Sequence, residues 1–156
     1  MSRSTTGNMT EAMVLSAFEQ RGFHVLIPFG DGHPYDLAVH LKGTEFLRVQ
    51  CKTARPHGGC LIFNARSTDH GRGPQSYLGL ADIFGVYLPS RRAVYLVPID
   101  GVASFEGRLR LEPTRNNQRR GVRMAAEFEI DRWSTESLHE VAAQGRVKPE
   151  LELVIA

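Results

Sequence analysis

The stretch from His33 to Ala54, HPYDLAVHLKGTEFLRVQCKTA, restricts this chain more than any other. Two runs in it alternate apolar and polar residues, and a Lys-Gly-Thr turn separates them. Alternation with period two specifies a pair of antiparallel strands with one buried face. Leu37, Val39 and Leu41 share a face on the first strand, as do Leu47, Val49 and Cys51 on the second. Asp36, Ala38 and His40, with Arg48, Gln50 and Lys52, take the other face. Centring the turn on Gly43 places Asp36 opposite Gln50, with Lys52 one pleat further along. Directly opposed residues hold their Cβ atoms about 4.5–5.5 Å apart. A hairpin built for burial thus gathers a carboxylate, an amide and an ammonium on its second face.

The flanking sequence supplies the rest of an α/β domain with a mixed β-sheet flanked by helices, read as one domain over residues 1–156. Residues 1–8 are polar and read as loose. TEAMVLSAFEQRGF reads as a helix capped by Thr10 and stopped near Gly22. Its apolar stripe is Val14, Leu15 and Phe18, and Glu11 projects from that same stripe in the first turn. A first-turn Glu is favourable at a helix N-terminus in any protein, but its place on the apolar stripe marks it as a candidate site residue. HVLIPFG, CLIFNA and RLRLE read as strands, and IFGVYLP with AVYLVPI as a second hairpin around SRR. Short helices are expected in SYLGLAD, within Arg119 to Phe128, and in STESLHEVAAQ.

Composition removes several function classes. No apolar run approaches the roughly 20 residues that cross a bilayer, and MSRSTTGNMTEA has no apolar signal core. The expectation is a cytoplasmic protein without a membrane partner. Cys51 and Cys60 read as free thiols, and their spacing with His57 fits no standard zinc site. The net charge of +2 demands no polyanion by itself. Basic residues are nevertheless clustered: Arg55 and His57 follow the hairpin, Arg66 and Arg72 come next, and Arg108 to Arg123 is arginine-rich with Glu112 as its one carboxylate. Within it, Arg115, Asn116, Asn117, Gln118, Arg119 and Arg120 form a donor-rich run with no apolar residue. An exposed loop explains such a run. So does DNA contact, because Asn and Gln pair bidentately with adenine edges, and Arg with guanine or phosphate.

Oxygen donors from Glu11, Asp36 and Gln50 suit a hard cation such as Mg²⁺, which usually keeps several waters. Lys52 beside them can orient a water or stabilise charge that grows on phosphorus.

Pro34–Asp36, followed by Gln50–Lys52, resembles the motif of the PD-(D/E)XK nuclease superfamily. The likeness extends through GFHVLIPFGDGHPYDLAV, LRVQCKTA, DIFGVYLPSRRAVYLVPID and LRLEPTRNNQ, roughly Gly7 to Ile130. It is similar there to the group I intron-encoded branch of bacterial homing endonucleases. The resemblance implies a restriction-endonuclease-like core and a sequence-specific DNA endonuclease that uses Mg²⁺ or Mn²⁺. It implies 5′-phosphate and 3′-hydroxyl products. Glu11, Asp36, Gln50 and the Cys51 backbone carbonyl would hold metal, and Lys52 would serve the nucleophile or transition state. DNA contact falls to Arg55, His57, Arg66, Arg72 and the Arg115–Arg120 run. Tyr77 and Asp82 match a Tyr and an Asp of that branch, and Asp82 is expected in a structural role. Trp133 is expected to pack in the core or an interface. Gln50 departs from the superfamily pattern, where an acidic residue is usual, although the intron-encoded branch also carries Gln there. Single modules bury only about 600–1,000 Å² on DNA, so a homodimer or homotetramer on double-stranded DNA is expected. A Holliday junction resolvase-like nuclease and a non-catalytic DNA-binding descendant are the rival readings.

Overall fold

The computed structural model describes residues 2–69, 73–102 and 105–146. Helix α1 (Arg3–Glu19) leads into β1 (His24–Leu26), β2 (Leu37–His40) and β3 (Phe46–Thr53). Strands β4 (Arg55–His57) and β5 (Cys60–Asn64) pair antiparallel, as do β6 (Ser67–Asp69) and β7 (Gly73–Gln75). Strands β8 (Ile83–Leu88), β9 (Ala93–Pro98) and β10 (Glu106–Arg110) follow, then α2 (Thr135–Arg146).

The principal sheet runs β1-β2-β3-β8-β9 and is antiparallel except between β3 and β8. The β2–β3 hairpin has the register that its alternation requires: Leu37 faces Val49, Ala38 faces Arg48, and His40 faces Phe46. Gly43 turns it at φ 60, a conformation that glycine adopts at little cost. A parallel pair needs a long crossover. Here the crossover between β3 and β8 contains β4 to β7. With β10, the β5–β4 hairpin forms a three-stranded sheet, ordered β10-β5-β4.

This arrangement makes two apolar layers. On one side α1 and α2 cover the sheet, where Val14, Phe18, Leu138 and Ala142 meet Leu37, Val49, Ile83 and Leu96. On the other, Leu61, Phe63 and Leu109 of the smaller sheet meet Phe84, Val86 and Leu88. Strand β8 is therefore buried on both faces, and its sequence is a continuous apolar run. Helix α1 lies very close to β8. A Cβ built at Gly85 would sit 2.6 Å from Val14 Cγ1, so only glycine admits the helix at this depth.

Several local expectations are corrected. Helix α1 starts at Arg3 with Ser2 as its N-cap, so residues 3–8 are helical rather than loose. Thr10 is no cap: it is buried in mid-helix, and its hydroxyl bonds that of Thr53 at the end of β3. SYLGLAD is not a helix, since Gly79 takes φ 78 and the segment closes on itself through a Leu78–Ala81 bridge. Only one 3-10 turn, Ala125–Glu127, forms within Arg119 to Phe128. Trp133 is half-buried against the helix-side core.

One buried ion pair joins β3 to β8. Asp82, whose side chain is fully buried, accepts from the Arg48 backbone N–H at 2.7 Å and from its guanidinium at 2.7 and 3.2 Å. Asp82 returns its own N–H to the Arg48 carbonyl at 2.9 Å. Breaking such a pair from one side leaves a desolvated charge, so Asp82→Asn is expected to cost about 3 kcal/mol. That corresponds to a melting temperature roughly 6–12 °C lower for a chain of this size, read by circular dichroism. A fall of under 2 °C would show the pair to be ornamental.

Candidate active site

Asp36 sits one residue before β2 pairs with β3, and there its side chain takes over the ladder. Its N–H donates to the Val49 carbonyl at 2.9 Å, and its carboxylate accepts from the Cys51 N–H at 2.8 Å. Burial holds the Asp36 carboxyl above its usual pKa, outweighing the Cys51 bond and the Lys52 charge, which both lower it. Gln50 and Lys52 project from the face opposite Val49 and Cys51, as the burial of alternate residues shows. The Gln50 side chain has no hydrogen-bond partner among the described residues, while its backbone is in the ladder with β8.

Glu11 arrives from the helix layer. Val14, one turn along α1, is seated against Gly85, and the neighbouring Thr10 is tied to Thr53. These two contacts set the helix so that Glu11 feels Asp36. Burial first, and then the Asp36 charge, raise the Glu11 pKa. The two carboxylates are therefore near enough to act on each other electrostatically.

Lys52 is held tightly. Its ammonium donates to the Arg66 carbonyl at 2.9 Å and to the Tyr77 hydroxyl at 3.1 Å, and lies 4.6 Å from the Tyr77 ring centroid. Two of its three N–H donors are thus committed and one is left over. Burial lowers its pKa to about 8, against the Asp36 and Cys51 charges that favour the cation. Burial raises the Tyr77 phenol, with the Asp36 charge adding and a Ser67 hydrogen bond opposing. The phenol therefore stays protonated at neutral pH and is a fixed partner for Lys52. Tyr77 and the Arg66 carbonyl are the site groups for which sequence reading supplied no role. The tyrosine lies 25 residues beyond Lys52, and only the fold joins them.

The remaining predicted residues divide. Arg55 and His57 are exposed on β4, a strand rather than a loop. Arg115 to Arg120 are all exposed in the segment after β10. That segment is rooted beside the β4–β5 turn: the Leu111 and Glu112 N–H groups donate to the Gly59 carbonyl at 2.9 and 3.3 Å. The two basic regions therefore leave the fold together. Asn116 spends its amide oxygen on the Gln118 N–H at 3.4 Å, and Asn117 takes φ 52 in the same turn. Arg72 lies outside the described residues. His33 and His40 bond the carbonyls of Phe29 and Gly43, so each ring serves its own loop. Cys51 and Cys60 are buried free thiols, and no group of three His, Cys, Asp or Glu suited to a metal occurs among the described residues.

The arrangement is two interacting carboxylates, an unpaired amide and a clamped lysine at the end of a mixed sheet. A profile of the PD-(D/E)XK endonuclease family matches residues 1–131, which include every one of these groups. The chain belongs to that family. Among solved structures it is similar to one described as "The structure of a bacterial homing endonuclease: I-Ssp6803I", with a TM-score of 0.67 and 23% identity. The match covers 93% of this chain and 96% of that one. At this identity the likeness establishes the restriction-endonuclease-like fold. No curated protein matches the chain. No helix among the described residues is long and apolar enough to cross a membrane.

The raised Glu11 pKa has a consequence for stability. Its folded value lies above its unfolded one, so the folded state loses relative stability as pH rises through the carboxylate range. In metal-free buffer Glu11→Gln is expected to raise the melting temperature at pH 7.5. The gain should vanish below about pH 3, where Glu11 is protonated in both states. A variant whose melting temperature differs from the wild type equally at both pH values would refute the raised Glu11 pKa.

Proposed function

We propose that this PD-(D/E)XK family member is a sequence-specific, homing-type endonuclease of double-stranded DNA that works with Mg²⁺ or Mn²⁺. The observation that carries the reading is Lys52, half-buried and clamped by Tyr77 and the Arg66 carbonyl beside the Asp36 carboxylate. A half-buried ammonium costs the fold stability, and groups with pKa values displaced in this way gather at functional sites.

The donor set fits a hard dication. All its atoms are oxygen, and both carboxylates are held at raised pKa by burial, which a bound cation would relieve. Glu11, Asp36, the Gln50 amide and the Cys51 backbone carbonyl would hold it, with waters completing the shell. When bound, such an ion polarises the phosphoryl oxygen and makes an attacking water more acidic. The chain's own residues do the rest. The third N–H of Lys52 is free to bond a phosphate oxygen or the incoming water, and Tyr77 with the Arg66 carbonyl fixes its direction. Asp36 is itself fixed by the Cys51 N–H, so the two groups keep their separation as substrate enters. The neutral Gln50 suggests fewer or weaker metal ions than a carboxylate would give. Arg55, His57 and the Arg115–Arg120 segment supply the DNA contacts, and Asn117 and Gln118 keep free amides for base edges.

The small surface of one chain supports a homodimer or homotetramer, with one site for each strand. Light scattering with bound duplex is expected to give at least two copies per DNA, and a single copy would overturn this.

The enzymatic reading is tested on a plasmid library with Mg²⁺. Asp36→Ala and Lys52→Ala should lower cleavage by about 10²–10³-fold while binding persists. Tyr77→Phe should slow single-turnover cleavage about 10- to 100-fold with DNA affinity unchanged, since it misplaces the lysine without removing it. Mg²⁺ alone should raise the melting temperature of the wild type and not that of Asp36→Ala. DNA binding without cleavage under any divalent ion would favour a non-catalytic module descended from a nuclease.

A further inference from the structure

A cleft of about 510 Å³ opens at Thr53, the residue after Lys52, and at Arg66, whose carbonyl holds the Lys52 ammonium. Thr53, Ile62, Phe63 and Arg66 line it, together with Arg55 of β4. Its volume falls within the roughly 300–1,000 Å³ of ordinary ligand sites. Arg66 is built into it with unusual care. Its N–H is fixed by the Asn64 side chain at 2.9 Å, and its carbonyl holds Lys52. Its guanidinium carbon stacks 3.6 Å over the centre of the Phe105 ring. Phe105 is 52% exposed, and its carbonyl accepts from the Ala65 N–H at 2.9 Å. Face-on stacking fixes the guanidinium plane and leaves the in-plane N–H fork uncommitted, which is the geometry that takes a phosphate bidentately. Among the described residues neither Arg55 nor Arg66 meets a carboxylate. Glu106, the one carboxylate on the rim, pairs with Arg108 at 3.2 Å.

We propose that this cleft receives the DNA strand next to the scissile bond, with the neighbouring backbone phosphate in the fork of Arg66, Arg55 as a second cation, and Phe105 as the plate that holds the fork flat. The proposal rests on the nuclease reading above and assigns Phe105 and Asn64, which carry no charge, a part in binding an anion.

The test uses the full chain, labelled with ¹⁵N-arginine in EDTA, titrated with the dinucleotide pTpT and separately with inorganic phosphate. The Arg66 Nε–H signal is expected to shift saturably with pTpT, and at several-fold lower concentration than with phosphate. Phe105→Leu should weaken pTpT binding about 2- to 5-fold, the worth of an exposed cation–π contact, with an unchanged melting temperature. Arg66→Lys, which keeps the charge and loses the fork, should weaken it more. A silent Arg66 signal, or equal affinity in Phe105→Leu, overturns the proposal. Equal response to phosphate and pTpT overturns the strand cleft in favour of a bare anion site. Plasmid cleavage with Mg²⁺ separates the two readings. A chain that cuts with Arg66 silent sinks the cleft alone, and one that binds pTpT at Arg66 but never cuts sinks the endonuclease alone.

Discussion

The Arg48–Asp82 pair governs the positions of most other groups in this fold. Antiparallel neighbours are set by short turns, but β3 and β8 run parallel and are joined by a crossover with a sheet's worth of chain in it. Nothing local fixes their register. Asp82 does so with a fully buried carboxylate that takes both the backbone N–H and the guanidinium of the partly exposed Arg48. Gly145 of α2 packs directly over that carboxylate, where a Cβ would collide with it. Just before Asp82, the Leu80 and Ala81 N–H groups close a turn on the Tyr77 carbonyl. Anchoring Asp82 therefore anchors Tyr77, and Tyr77 anchors Lys52. An ion pair remote from the chemistry thus aims the lysine.

The site is costly to the fold that holds it. Burial pushes Glu11 and Asp36 up and Lys52 down, so each of the three is displaced toward its neutral form. The raised carboxylates remove stability as pH climbs through their range, and Lys52 withholds stability until pH passes about 8. Near neutral pH all three contributions are unfavourable together. Stability at a functional site is commonly sacrificed in this way. The rigid surroundings, with Gly85 admitting α1 and two apolar layers around β8, are what make the sacrifice tolerable.

The β2–β3 hairpin was legible in the sequence because its information is local. Strict alternation and a glycine turn leave one register, and that register put Asp36 beside the Gln50–Lys52 strand. The apolar run of β8 was legible for a similar reason. The start of α1 was not. Thr10 is a good cap by type, but its hydroxyl is claimed by Thr53 across the helix–sheet interface, and no pattern near Thr10 announces that. SYLGLAD has helical spacing of Leu78, Leu80 and Ala81, yet the demands of Asp82 and the left-handed Gly79 override it. Tyr77 on Lys52 and Arg66 on Phe105 are contacts between distant segments, so they appear only once the crossover is folded.

Gln50 takes on a physical meaning in this setting. A carboxylate in its place would put a third negative charge near two carboxyls that burial already pushes up. Each added charge raises the pKa of the others, so a metal-free site with three acids would bind protons and lose part of the charge that attracts a cation. A neutral amide supplies an oxygen without that repulsion and leaves Asp36 as the carboxylate that acts on Lys52. In the proposed metal site the exchange would lower affinity for a dication, and it spares the two carboxyls a third repelling charge. On the proposed nuclease reading, aligning a phosphate would then fall more to Lys52, whose ammonium is clamped by the Arg66 carbonyl and the Tyr77 hydroxyl.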